Sequence, residues 1–121
     1  MSYKAYNDLD VWKQSRNLAN YIYSTSKKFP KEEIYGLTNQ MRRCAVSVPS
    51  NIAEGCGRQH TKDSLQFYYI SRGSLYELET QFYIAFDQEY ISQTELEEGL
   101  EKIISCKKLL NGFINYFHTL N

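Results

Sequence analysis

Apolar residues recur along the chain at spacings of three and four, the rhythm of an α-helix with one buried face. Val11, Ser15, Leu18, Ile22 and Thr25 keep this spacing, with Trp12, Ala19 and Tyr21 alongside, and predict a first helix from near Leu9 to near Lys28. Asn7 or Asp8 is placed to cap it, because a short side-chain oxygen accepts from the free amides of a first turn. Phe29-Pro30 ends it, since proline disfavours helical geometry in the residue before it. A second helix is predicted to start near Lys31, where Pro30, Glu32 and Glu33 suit a helix N-terminus. Ile34, Leu37, Met41, Cys44, Val48 and Ile52 mark its core face, and Gly55 and Gly57 are expected to break it. Pro49 allows either two helices meeting near Val48 or one kinked helix. The apolar phase runs unbroken through Ile52, which favours the kinked helix.

A third helix is predicted from near Lys62 to near Tyr90, with Thr61 as its cap and Tyr68, Ser71, Leu75, Leu78, Phe82 and Ala85 as its seam. Ser71, Gly73 and Ser74 are small, so a neighbouring backbone is expected close by, and Gly73 is expected to have a packing reason. A fourth helix is predicted from near Thr94 to near Phe117, starting at Gln93-Thr94. Its seam is Leu96, Leu100, Ile103, Leu110, Ile114 and Phe117, interrupted by Lys107. No stretch alternates at period two, and no hairpin signal occurs. The expected fold is therefore all-α: an antiparallel up-down-up-down four-helix bundle, residues 1–121 forming one domain, with the second helix kinked near Pro49.

The 121 residues include 14 basic and 14 acidic side chains, which argues against indiscriminate nucleic-acid binding. The charge is nonetheless uneven: by residue type, positions 1–60 carry an excess of basic residues and positions 61–121 an excess of acidic ones. Antiparallel helices of opposite charge would attract one another within the bundle. Alternatively, two basic patches mark nucleic-acid contacts: Lys27, Lys28 and Lys31 at one end, Arg58 and Lys62 at the other. No apolar run approaches the roughly 20 residues of a membrane span, and the N-terminus lacks the apolar core of a signal peptide. With the three scattered cysteines, Cys44, Cys56 and Cys106, this predicts a cytoplasmic protein with free thiols. Cys44 falls on the apolar phase and reads as a small core residue. His60 and His118 lack ligand partners at short spacing, so neither metal nor cofactor is expected.

No catalytic constellation is visible. Gly55-Cys56-Gly57-Arg58 is glycine-rich, but no Gly-Lys-Ser/Thr follows as a phosphate loop requires. The glutamates Glu77, Glu79, Glu97, Glu98 and Glu101 read as surface charge. There is no Glu-x-x-His for a di-iron bundle. The expectation is a protein that is not an enzyme.

Two stripes exceed what a monomeric bundle needs. Tyr69, Tyr76, Tyr83 and Tyr90 recur every seven residues, one position beyond the third helix's seam. They form a broad core face with wet hydroxyls or a subunit contact, a role that suits tyrosine's apolar ring and polar tip; a platform for stacked bases is a third reading, which the scarcity of positive charge beside the stripe disfavours. If they form a contact, Tyr76 and Tyr83 should be buried partly by a neighbouring subunit. Gln40, Arg43, Ser47, Asn51 and Glu54 share a face of the second helix. They form either its solvated side or a hydrogen-bonded interface network that pairs Arg43 and Glu54.

Three stretches also carry a resemblance. They are Asp10-Val11-Trp12 with Phe29-Pro30-Lys31-Glu32-Glu33-Ile34-Tyr35-Gly36-Leu37; Gln40-Met41-Arg42-Arg43 running through Ser47-Val48-Pro49-Ser50-Asn51-Ile52-Ala53-Glu54-Gly55; and Gly73-Ser74-Leu75-Tyr76-Glu77-Leu78-Glu79-Thr80-Gln81. Together they closely resemble the four helix bundle protein family, also called the 23S rRNA intervening-sequence proteins. The resemblance covers essentially the whole chain. It implies a bacterial four-helix bundle assembling into a homopentameric ring, and it strengthens the single-helix reading around Pro49. Some members of the family are encoded within intervening sequences of large-subunit rRNA genes. Relatives serve diversity-generating retroelements, where they bind a reverse transcriptase and RNA or DNA. The family has no known catalytic residues, so none is carried over.

Overall fold

The computed structural model describes residues 5–120. Four helices account for most of them: α1 Asp10–Ser26, α2 Leu37–Cys56, α3 Thr61–Asp87 and α4 Gln93–His118. Short 3-10 turns at Tyr6–Asp8 and Lys31–Glu33 precede α1 and α2. Each helix packs against its neighbours in the cycle α1–α2–α3–α4, most extensively α2 against α3. Cys44 meets Ser74, Val48 meets Ser71 and Gly55 meets Ser64, so α2 and α3 run antiparallel. Together with the short connections this is a four-helix bundle.

The seams predicted from spacing fill the core. Leu18, Ile22, Met41, Val48, Ile52, Tyr68, Leu75, Leu78 and Phe82 have at most 1% of their surface exposed. All six predicted seam positions of α3 are buried. Removing that much apolar surface from water is the main favourable term in folding. α2 is one continuous helix with Pro49 inside it. Cys44 is buried, and its thiol lies 3.0 Å from the Ser74 carbonyl oxygen, within reach of a weak hydrogen bond.

Several boundaries differ from the expectation. Asn7 and Asp8 sit in the first 3-10 turn, and the residue flanking α1 is Leu9, with no side-chain cap. α1 stops at Ser26, short of Lys28. α2 begins at Leu37, not Lys31. Ile34 keeps the helical period but lies in the connection, 49% exposed. The connection is held by Glu33, whose Oε1 accepts from the Leu37 amide at 3.1 Å. A side chain at Gly36 would bring its Cβ within 2.6 Å of that oxygen. Thr61 is the first residue of α3 and His60 flanks it, so Thr61 is not a cap. α3 ends at Asp87 rather than Tyr90, and Glu89 follows at φ 63°, in the left-handed region.

Gly55 does not break α2; it lies inside the helix, buried under Tyr68, and Gly57 is the residue that ends it. The close approach predicted at the small residues of α3 is made by Ser71, whose hydroxyl donates to the Val48 carbonyl, and by Ser74. Gly73 is exposed, and a Cβ there would meet nothing within 4 Å, so the bundle gives it no packing reason. In α4 the seam is Leu96, Gly99, Ile103, Cys106, Leu110 and Ile114. Lys107 does not interrupt it, because Cys106 holds the inward position. α4 starts at Gln93, where the Gln93-Thr94 signal placed it, and Ser92 caps it. The Ser92 hydroxyl accepts from the Glu95 amide at 3.1 Å, and the Glu95 carboxylate accepts from the Ser92 amide at 2.9 Å.

Candidate interaction surfaces

The bundle brings the C-terminus of α1 beside the N-terminus of α4. There Lys28 forms an ion pair with Glu95. Burial pushes the Glu95 carboxyl upward, but the bonds from Lys28 and Ser92 outweigh it and leave the group below its ordinary value. Lys27 and Lys31 are exposed and line a depression with Phe29, Pro30, Ile34 and Arg42. At the other end Arg58 pairs with Glu54 at 3.0 Å and lies 4.4 Å from the centre of the Phe67 ring, while Lys62 is exposed. Each predicted basic patch therefore has one of its cations neutralised within the chain.

The polar stripe of α2 does not join into one network. Glu54 pairs with Arg58, and among the described residues Arg43 makes no hydrogen bond or ion pair. Asn51 donates to the Ser47 carbonyl at 2.7 Å, a bond within the helix. Ser47 reaches α3, where its hydroxyl meets that of Ser74. Gln40 is exposed. Between α2 and α3, Gln40, Arg43 and Ser47 line a groove of 520 Å³ with Ile70, Glu77 and Gln81. The Gln81 Oε1 atom is buried there without a hydrogen-bond partner.

The tyrosine stripe divides. The Tyr69 hydroxyl bonds to Nε2 of His118 at 2.8 Å. Tyr90 donates to Glu33 at 2.8 Å, and that bond raises the tyrosine's pKa. Glu33 in turn is held below its ordinary value, first by the Leu37 amide and then by Tyr90. The middle pair remains open: Tyr76 is 55% exposed, with the Lys107 ammonium 3.9 Å from its ring centre, and Tyr83 is 50% exposed. Ile70 and Ile84 are also exposed on α3.

The seam between α1 and α2 carries a surface that the periodicity did not mark. Three adjoining depressions run along it, the central one of 580 Å³. Tyr35 stands 91% exposed at its edge, and Tyr23 and Val46 are exposed inside it. The Arg42 and Arg16 guanidiniums lie 4.8 Å and 5.6 Å from the ring centres of Tyr23 and Trp12. Tyr35 was legible in sequence only as an aromatic outside any seam.

The thiols are quiet. Burial, then the Glu77 charge, pushes Cys44 up to about 12, and burial raises Cys56 and Cys106. Among the described residues no three His, Cys, Asp or Glu side chains gather as a metal site would require. Nor is any described helix long and apolar enough to cross a membrane.

Comparison with known proteins agrees with this architecture. A crystal structure of a protein of unknown function from the S23 ribosomal protein family of Bacteroides thetaiotaomicron superposes with a TM-score of 0.80 at 23% identity. The match covers 86% of this chain and 97% of that one, and shows the shared fold. Among curated proteins none matches. The family model for the 23S rRNA-intervening sequence protein matches residues 7–112, nearly the whole length, and the chain belongs to that family.

Proposed function

We propose that this protein is a non-catalytic, cytoplasmic subunit of a homo-oligomer, a five-membered ring, that works as an accessory assembly on RNA or DNA. The observation that carries the reading is the apolar surface left open on α3. Ile70, Tyr76, Tyr83 and Ile84 are each 44–55% exposed along one helix of a small bundle whose own core is full. Apolar side chains gathered on one element mark an interaction site. The exposed Glu77 carboxylate on the same helix offers a polar contact to a neighbouring subunit. Repetition around a ring supports nucleic-acid binding, because weak contacts add through effective concentration. A partner such as a reverse transcriptase would meet the same repeated surface.

The second reading is a protein-interaction scaffold with no nucleic-acid role. It is favoured by the internal ion pairs that neutralise Lys28 and Arg58. Sedimentation velocity of the wild type against Ile70→Asp with Ile84→Asp tests the oligomer. The wild type is expected as one discrete species at micromolar concentration and the variant as a slower one. A wild-type monomer refutes the proposal.

A further inference from the structure

We infer that the trough between α1 and α2 is a binding site for a single strand of nucleic acid. This rests on the accessory reading above and names the surface and the kind of strand.

Charge is the first argument. Lys28, Arg58 and Lys107 are tied to carboxylates. Arg16, Lys27, Lys31, Arg42 and Arg43 line the trough and have no carboxylate partner among the described residues. Neither Asp nor Glu is among the residues lining its three depressions. In a chain of zero net charge, five uncompensated cations along one seam form a local field that suits phosphates.

The second argument is the chemistry between the cations. Tyr35 presents an almost fully exposed ring. Arg42 and Arg16 lie over Tyr23 and Trp12 and present flat guanidinium planes. Unpaired bases stack on such rings and planes without regard to sequence. Trp12, Arg16 and Tyr23 share one face of α1, and the stretch from first to last spans about 16 Å of helix. The depressions join end to end: the first two share Tyr23 and Val46, while Ile34, Thr38 and Arg42 continue into the third. The result is a track with stacking surfaces inside and cations along it. A trough between helices packed about 8–10 Å apart suits a strand better than a duplex, whose base faces are hidden.

The third argument is position. The open apolar surface assigned to subunit contacts lies on α3, while the trough lies between α1 and α2. A ring could therefore form with every trough accessible.

Fluorescence anisotropy of the full chain with labelled oligo(dT), oligo(U) and a mixed-sequence duplex, titrated across salt, tests this. The expectation is tighter binding of both single strands than of the duplex. In Arg16→Glu with Arg43→Glu, affinity should fall at least about tenfold, and the salt slope should flatten by about 0.7 for each phosphate no longer neutralised. Tyr35→Leu should weaken binding at least about fivefold while keeping the slope, because it removes a stacking surface and no charge. Lys102→Glu with Lys108→Glu makes the same change in net charge on α4 and should matter less. Arg16→Gln with Arg43→Gln, read the same way, keeps the test decisive if charge reversal disturbs folding.

Single-strand binding that the trough variants leave unchanged, or that the α4 variant weakens equally, overturns this site while leaving the accessory reading intact. A ring that binds no nucleic acid overturns both. Trough variants that change the sedimentation pattern instead assign the surface to a second copy of the chain and overturn the inference.

Discussion

Gly55 and Gly73 both lie inside helices, yet the same substitution should move stability in opposite directions. Alanine at either position gains about 1 kcal/mol of helix propensity over glycine. At Gly73 a new Cβ meets nothing within 4 Å, so most of that gain should survive. At Gly55 the Cβ would overlap the edge of the Tyr68 ring and stand 3.0 Å from the Ser64 carbonyl oxygen. Tyr68 cannot swing away, because it is fully buried with Phe113 and Phe117 each 4.9 Å from it, centre to centre. The Ser64 hydroxyl also donates to the Gly55 carbonyl, so separating α2 from α3 would stretch that bond. Overpacking of this kind costs about 1–3 kcal/mol. Gly55→Ala should therefore be net destabilising by up to about 2 kcal/mol, and Gly73→Ala stabilising by about 0.5–1 kcal/mol. Urea denaturation at one fixed protein concentration measures both, since the stability of an oligomer depends on concentration. Equal stability of the two variants would refute the packing argument.

Other expectations follow from the contacts. Ser92→Ala removes the reciprocal cap of α4 and should cost about 1 kcal/mol in the same denaturation assay. Asn51→Leu should change stability by no more than about 0.5 kcal/mol, because Asn51 bonds within its own helix rather than into a network. Glu33 has a native pKa below its ordinary value, so its contribution is present above about pH 4.5 and is lost as pH falls through the lower native value. Denaturation of wild type and Glu33→Gln should therefore differ at neutral pH and converge in acid. Iodoacetamide under mildly alkaline conditions should label Cys44 and Cys106 slowly in the native protein and fully in urea, as read by peptide mass, because burial raises both thiols.

Helix number and most of the core were legible in the sequence, because a buried face imposes the helical period wherever packing is continuous. The period misleads where a residue keeps the rhythm outside a helix. Ile34 does so, since Glu33 and Gly36 set the start of α2 one turn later. It also misleads in α4, where the inward position beside Lys107 is a cysteine and Gly99 holds another. The Ser92-to-Glu95 spacing is a readable capping signal, one residue before the predicted start at Gln93-Thr94. Candidate sites were less legible because pairing is tertiary. Lys28 and Glu95 are distant in sequence, and only the fold shows that one neutralises the other. The trough was hidden for the same reason: Trp12, Arg16 and Tyr23 share a face of α1, but only the fold sets Arg43 of α2 and Tyr35 of the connection beside them.

The central claim is that the open side of α3 joins subunits into a closed ring. The most direct test is the mass of the purified protein by light scattering across a range of micromolar concentrations. The account predicts a single concentration-independent mass near five times the 14.2 kDa of one chain. A mass of one chain throughout would contradict it.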